Sequence, residues 1–274
     1  MYKNAYIIAI IIVGGFKKMK LENKVAVITG ASSGVGRETA LLFAKEGCNV
    51  VAVARREERL IALAKEAEEK GYKGKILPFK GDISLEEVNF KMIDFAIEKF
   101  GHFDILINNA GLMDNFAPVD ELDSELLKKL MAVDVYGPAF ATKKATQEFI
   151  KSGVKGSIVT IASIAGICGG KSGCAYTMAK HAVLGLVKNT AFNYRSQLRC
   201  NAICPGGIAT EMVSPEAFAN ASQKGLASVM LANQFQTPMA TPLQIAEVAL
   251  FLASDDSSIV NGAVVTADSG LTTF

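Results

Sequence analysis

From Lys24 onward, short runs of β-branched and other apolar residues alternate with longer stretches in which apolar residues recur every three or four positions. The short runs suit strands, the longer ones amphipathic helices, and their alternation is the rhythm of βαβ units around a parallel sheet. Strands are expected at Val25–Thr29, Val50–Ala54, Ile76–Phe79, Ile105–Asn108, Ser157–Ile161, Cys200–Ile203 and Ala263–Thr266. They are almost continuously apolar, as strands covered on both faces must be. Between them, Glu57–Lys70 sets Leu60, Leu63, Ala64 and Ala67 at helical spacing. Ser84-Leu85-Glu86-Glu87 has the form of a capping box before a helix with apolar Val88, Met92, Phe95 and Ala96. The two longest helical patterns cover Glu121–Lys151 and Ala175–Ser196. Glu211–Pro242 breaks the rhythm: it lacks strand signals and is rich in Ala, Ser, Gln and Met. Connections of that length in a compact domain are usually lids or carry small helices of their own. The pattern predicts an α/β fold, a single doubly wound domain over 19–274 with a parallel sheet of about seven strands flanked by helices, and a lid at about 211–241.

Composition narrows the function classes. The chain has 274 residues, 50% apolar and 20% charged, which supports one sizeable core and excludes disorder. Twenty-nine basic and 27 acidic residues leave a charge of only +2 with no basic stripe, so no nucleic-acid partner is expected. Five scattered cysteines suit reduced thiols in the cytoplasm. With His102 and His181 the only histidines, no metal-ligand spacing forms, and no metal is expected. Residues Ala5–Val13 are continuously apolar but far shorter than the roughly 20 residues of a membrane span. Residues 1–18 are expected to be a loosely attached extension, with Met19 as an alternative start; an anchor or signal is the other reading.

Thr29-Gly30-Ala31-Ser32-Ser33-Gly34-Val35-Gly36 follows the first expected strand and opens the first helix. Glycines there permit a tight turn and close backbone approach, and the helix N-terminus offers unpaired N–H groups to a pyrophosphate. Gly30, Ser32, Ser33, Gly34, Val35 and Gly36 are therefore candidate contacts of a dinucleotide, and the fold is expected to be of the Rossmann type. A carboxylate at the end of the second strand would hold the ribose hydroxyls of NAD. Here Arg55 and Arg56 follow Ala54. A guanidinium pairs with a 2′-phosphate where a carboxylate would repel it, so NADP(H) is favoured and NAD(H) remains the alternative.

Tyr176 and Lys180 stand four apart in a helical pattern, on one face a turn from each other, and Ser163 lies just past the strand ending at Ile161. A phenol ionises near pH 10 and is a poor base at neutrality, but an ammonium close by favours phenolate. Lys180 would supply that field and donate to the nicotinamide ribose. Ser163 would polarise the substrate oxygen, and Tyr176 would be the acid in ketone reduction and the base in alcohol oxidation.

Taken together the motifs resemble the short-chain dehydrogenase/reductase family in its compact form, over Met19–Phe274. They are the TGxxxGxG loop at Thr29–Gly36, Asp82 after the third strand, NNAG at Asn108–Gly111, Ser163, YxxxK at Tyr176–Lys180, and Pro205-Gly206 with Thr210 beyond. The resemblance implies that Asp82 and Ile83 meet the adenine, that Asn108, Asn109, Ala110 and Gly111 border the cofactor, and that Pro205, Gly206, Ile208 and Thr210 hold the nicotinamide end. It also implies a proton-relay position at Asp134, where the family usually has Asn. Ala179 stands where Ser is common, and Asp268-Ser269-Gly270 replaces the usual DGG.

In this family the region after Thr210 covers the substrate, and here it carries Met212, Val213, Phe218, Leu226, Val229, Met230, Leu231 and Phe235, with Glu216 and Lys224 among its few charges. Ile164, Ile167, Cys168 and Cys174 are expected to extend the apolar wall. The alternative is that the lid residues are simply the buried face of small helices. A bulky apolar alcohol or ketone of hydroxysteroid or bile-acid type is the favoured small-molecule substrate. The rival is a 3-oxoacyl thioester reductase, with Lys143, Lys144 and Lys171 meeting an acidic carrier protein; polyol or sugar oxidation ranks third. An NADP(H)-binding sensor or scaffold, and a methyltransferase-like protein, are readings of other classes. The resemblance further implies a homotetramer, with Glu121–Lys151 and Ala175–Ser196 at one interface and the C-terminal strand at another.

Overall fold

The computed structural model describes residues 19–213, 218–234 and 237–273. The expected extension at residues 1–18, and Glu216 and Phe235 of the lid, lie outside them. The elements run β1 (Val25–Thr29), α1 (Gly34–Lys45), β2 (Asn49–Ala54), α2 (Glu57–Glu69), β3 (Ile76–Lys80), α3 (Glu86–Phe100), β4 (Ile105–Asn108), α4 (Ser124–Leu130), α5 (Gly137–Ser152), β5 (Gly156–Ile161), α6 (Cys174–Asn193), β6 (Leu198–Pro205), α7 (Gln223–Ala232), α8 (Pro242–Ala253) and β7 (Val264–Ala267). The strands form one seven-stranded parallel sheet in the order β3-β2-β1-β4-β5-β6-β7.

Alternate residues of the strands face opposite cores, which is why the strands carry almost no polar positions. Ala26, Ile28, Val50 and Ala52 pack with Phe43 of α1, Leu60 and Leu63 of α2 and Leu252 of α8. Val25, Val27, Val51 and Val53 pack with Met92 of α3, Phe149 of α5 and Val187 of α6. The chain winds outward from β1 to β3, then returns to β4 on the other side of β1. That reversal leaves a crevice at the carboxyl ends of β1 and β4, where open α/β sheets take their ligands.

Two local expectations are corrected. The capping box at Ser84 does not form: α3 begins at Glu86 with Leu85 as its N-cap and no side-chain cap. Ser84 instead gives its N–H to the Asp82 carboxylate at 3.0 Å, because the turn out of β3 uses Asp82 to close itself. The pattern Glu121–Lys151 is not one helix either. It divides into α4, a π-helical turn at Met131–Tyr136, and α5. Pro138 in the first turn of α5 lacks the N–H that an α-helix would give to the Asp134 carbonyl, so the ladder cannot run through unbroken.

Candidate active site

The carboxyl edge of the sheet opens into a cleft of about 910 Å³. Its floor is stitched between the loops after β1 and β4. The Thr29 hydroxyl accepts from the N–H groups of Asn109 at 3.0 Å and Ala110 at 3.1 Å, and the Asn109 amide donates to the Thr29 carbonyl at 2.9 Å. Gly30 stands at φ +68°, with an added Cβ only 2.8 Å from the Ala110 Cα, and a Cβ on Gly36 would lie 2.5 Å from the Gly30 carbonyl oxygen and 2.4 Å from the Asn109 amide nitrogen. Only glycine permits this approach. The α1 N-terminus has no acidic residue in its first turn and no side-chain cap from Ser33, so it suits a pyrophosphate, and the donor set fits a dinucleotide.

The cofactor residues expected from the sequence line this cleft, with two exceptions. Gly36 packs beneath the loop, and Asn108 is buried with its amide on the Thr142 hydroxyl at 3.2 Å. At the carboxyl end of β2 Arg55 and Arg56 are exposed, and Arg56 donates to the hydroxyls of Ser32 at 3.2 Å and Ser33 at 3.1 Å. Arg55 and Arg56, and no acid, stand directly after β2, but the fold brings a carboxylate to them from afar. The Glu211 carboxylate takes hydrogen bonds from Arg59 at 2.9 and 3.0 Å and lies 3.5 Å from Arg56. Those guanidiniums hold it below the usual carboxylate range, the Arg59 hydrogen bond first.

Ser163, Tyr176, Lys180 and Asp134 meet at the ends of β5, α6 and the π-helical turn. The last three are 8%, 4% and 1% exposed, so charges among them act with little screening by water. The Lys180 ammonium sits 5.2 Å from the centre of the Tyr176 ring and 3.0 Å from the Asp134 carboxylate. Asp134 also accepts from the Leu112 N–H at 2.8 Å, next to Gly111, where a Cβ would come within 3.0 Å of its carboxylate. Burial opposes the Lys180 charge, but its acidic neighbour outweighs burial and holds the ammonium well above its ordinary range. Burial pushes Asp134 up, against the pull of Lys180. The expected depression of the Tyr176 phenol is not the net effect: burial raises it, Lys180 and Ser163 lower it, Asp134 and Asp114 raise it, and the balance lies above its usual value.

Asp114 was not singled out by the sequence. Its buried carboxylate accepts from the Ser172 hydroxyl at 3.0 Å and from the N–H groups of Gly173 at 3.1 Å, Phe116 at 3.1 Å and Tyr176 at 2.9 Å. It therefore caps α6, whose own N-cap is Gly173, from a distant loop. Its place just past the NNAG motif is the one signal that could have pointed to it. The same loop holds the segment after β6: Phe116 stacks on Phe218 at 5.4 Å, Ser222 donates its N–H to the Asn115 carbonyl at 2.7 Å, and Lys224 pairs with Asp120 at 2.6 Å.

Of the expected apolar wall, Met212, Phe218, Leu226, Val229 and Met230 line the cleft, whereas Leu231 faces solvent on the other side of α7. Ile164 lines it as well; Ile167, Cys168 and Cys174 do not, because the chain turns away after the short 3₁₀ turn Ile164–Gly166. The loop after β4 contributes wall residues that the sequence reading missed, namely Leu112, Met113 and Phe116.

Residues 24–220 match the family described as short chain dehydrogenase. The chain belongs to that family. It is therefore an oxidoreductase that works with a nicotinamide coenzyme, NAD(H) or NADP(H), on the CH–OH or C=O group of a small molecule. It is 38% identical over 255 residues to 3beta-hydroxysteroid dehydrogenase 2 of Eggerthella lenta, covering 93% of this chain and 96% of that one. It is 36% identical over 256 residues to the 3-oxoacyl-[acyl-carrier-protein] reductase FabG of Thermotoga maritima, covering 92% and 99%. The crystal structure of levodione reductase superposes with a TM-score of 0.84 at 30% identity, covering 92% of this dehydrogenase and 99% of the other chain. Among the described residues no helix is long and apolar enough to cross a membrane.

Proposed function

We propose that this short-chain dehydrogenase interconverts a secondary alcohol and a ketone on a bulky apolar substrate of the hydroxysteroid or bile-acid kind, with NADP(H) preferred. The observation that carries the substrate reading is the wall beyond Ser163 and Tyr176, formed by Leu112, Met113 and Phe116 from one side and Phe218, Leu226 and Val229 from the other. A rigid apolar ring system gains most from such a wall, with few polar groups needed to orient it. The hydroxysteroid dehydrogenase of E. lenta supports the same substrate class.

The nicotinamide, when bound, supplies or accepts the hydride. The chain supplies the rest. Ser163 donates a hydrogen bond to the substrate oxygen, where negative charge grows in reduction. Tyr176 gives its proton to that oxygen in reduction and takes it back in oxidation. Lys180 would hold the ribose and the phenol in register, with Asp134 at the expected relay position 3.0 Å from its ammonium. Arg55 and Arg56 would read the 2′-phosphate, with Glu211 as the carboxylate displaced from the guanidiniums.

The thioester reading rests on the T. maritima relative. Against it, Lys143 and Lys144 are paired with Glu86 at 2.8 Å and Asp94 at 2.6 Å, which offsets the charge an acidic carrier would meet there; Lys171, on the cleft wall, donates only to the neutral Asn233 at 2.8 Å. A sensor without turnover would have no use for Ser163, Tyr176 and Lys180 in one buried group. A homotetramer in the cytoplasm completes the proposal; exposed Tyr136, Ile150, Met178 and Phe192 around α5 and α6 support that interface, and light scattering tests it.

The test follows the near-ultraviolet absorbance of reduced nicotinamide with purified protein, NADPH and NADH in turn, and keto-steroids, keto-bile acids and 3-oxoacyl thioesters. Turnover of the ring ketones with NADPH is expected. Turnover of thioesters alone would overturn the substrate, and turnover with NADH alone the coenzyme preference.

A further inference from the structure

Asp134 places a carboxylate against the one buried ammonium of the site. Its Oδ1 is occupied by the Leu112 N–H at 2.8 Å. Its Oδ2 lies 3.0 Å from Lys180 Nζ but off the angle of a hydrogen bond, so the contact is one of charge with charge. A lone ammonium 5.2 Å from the Tyr176 ring would favour phenolate strongly. Paired with an anion it acts on the phenol as a dipole, whose field falls off faster than that of a single charge.

The remaining groups that face the pair add no second cation. From the loop after β4 comes Asp114, an anion under the Tyr176 N–H. From the end of β6 comes Cys204, whose thiol burial pushes up and so keeps uncharged, with Asp268 behind it. Ser163 contributes only a hydroxyl. Tyr176 thus shares its surroundings with one cation and two carboxylates, and burial further disfavours its charged form.

We infer that Asp134 is a built-in counter-ion to Lys180 that offsets part of the Lys180 field at Tyr176, so that alcohol oxidation needs a higher pH to reach its full rate than it would with an uncharged residue at this position. This rests on the proposed alcohol–ketone reading. In reduction the Tyr176 O–H bond breaks, its proton goes to the carbonyl oxygen, and the carbonyl carbon takes a hydride from reduced nicotinamide, which is oxidised. That direction needs the neutral phenol, whose charged form burial and the neighbouring carboxylates disfavour. Oxidation needs phenolate and gains only as the pH rises. Asp134 is here a positioning residue, acting on the proton of Tyr176 through Lys180.

Asp134→Asn keeps an oxygen for Leu112 and removes the charge. Tyrosinate formation is followed by ultraviolet difference absorbance in the full-length protein, wild type against Tyr176→Phe and Asp134→Asn against the double variant, so that only Tyr176 is read. In the wild type the Tyr176 transition is expected above the ordinary phenol value. In Asp134→Asn it is expected about one pH unit or more lower. The acid limb of kcat/KM for alcohol oxidation should move by the same amount, which a purely structural loss would not produce. A wild-type Tyr176 ionising near neutrality, or a transition unmoved in Asp134→Asn, would overturn the inference. Should Asp134→Asn not fold, Asp134→Ser, which also removes the charge and keeps an oxygen near the Leu112 N–H, is compared with its own Tyr176→Phe double variant in the same way. If no alcohol or ketone is turned over while the transition shifts as expected, the proposed function fails and the counter-ion stands; turnover with an unmoved transition removes the counter-ion and leaves the proposed function in place.

Discussion

Replacing Asp114 by alanine should destabilise the protein far more than its position in a loop suggests. Its carboxylate takes four donors: Ser172 Oγ, Gly173 N and Phe116 N on Oδ1, and Tyr176 N on Oδ2. Each hydrogen bond to a charged group contributes about 1.5–3 kcal/mol, and each buried donor left unpaired costs about 1–3 kcal/mol. If water entering the gap recovers half of the four hydrogen bonds, a loss of about 3–6 kcal/mol remains. At about 2–4 °C per kcal/mol for a chain of this size, Tm should fall by roughly 6–24 °C, read by circular dichroism on heating. Asp114→Asn separates stability from catalysis. It keeps the three donors on Oδ1 but turns an NH₂ group toward the Tyr176 N–H, donor against donor. Tm should then fall less than in the alanine variant. The first turn of α6, which carries Tyr176, should loosen, lowering kcat while leaving coenzyme affinity in place. A Tm within about 2 °C of wild type for Asp114→Ala would refute the capping argument.

Tyr176→Phe should lower kcat by about 10²–10⁴-fold with coenzyme binding intact by fluorescence titration, and near-full activity would remove Tyr176 as proton donor. Gly36→Ala forces a Cβ to 2.5 Å from the Gly30 carbonyl oxygen, so about 1–3 kcal/mol of stability and much of the coenzyme affinity should be lost, as calorimetry can show. Unchanged affinity would mean that the loop has room to shift. Arg55→Ala and Arg56→Ala should each weaken NADPH by about 10-fold or more and leave NADH nearly untouched, since only the phosphate would use the guanidiniums. Glu211→Gln should tighten NADPH by releasing Arg59 and Arg56; equal effects on both coenzymes would discard the phosphate site.

The sheet was legible along the chain because a strand covered on both faces leaves a local mark. Val25–Thr29 and Ile105–Asn108 occupy the residues their hydrophobicity picks out, and the other strands differ by one to a few residues at their ends. The glycine loop, Ser163, Tyr176 and Lys180 were legible for a similar reason: backbone approach, a strand end and a spacing of four are all short-range facts.

What could not be read locally depends on residues distant in sequence. Glu211 reaches Arg59 across 152 positions, and Asp114 caps a helix that starts 60 positions later, because the sheet order brings the loops after β1, β2, β4 and β6 to one edge. The apolar stripe of Glu121–Lys151 looked continuous, yet its backbone breaks around Asp134, and the break is what sets that carboxylate on Lys180. Hydrophobic period records which face of an element is buried, and it carries no record of which charge a buried group will meet. The Tyr176–Lys180 spacing placed two groups on one helix; the carboxylate that meets Lys180 at 3.0 Å comes from another element, and a spacing along one helix holds no trace of it.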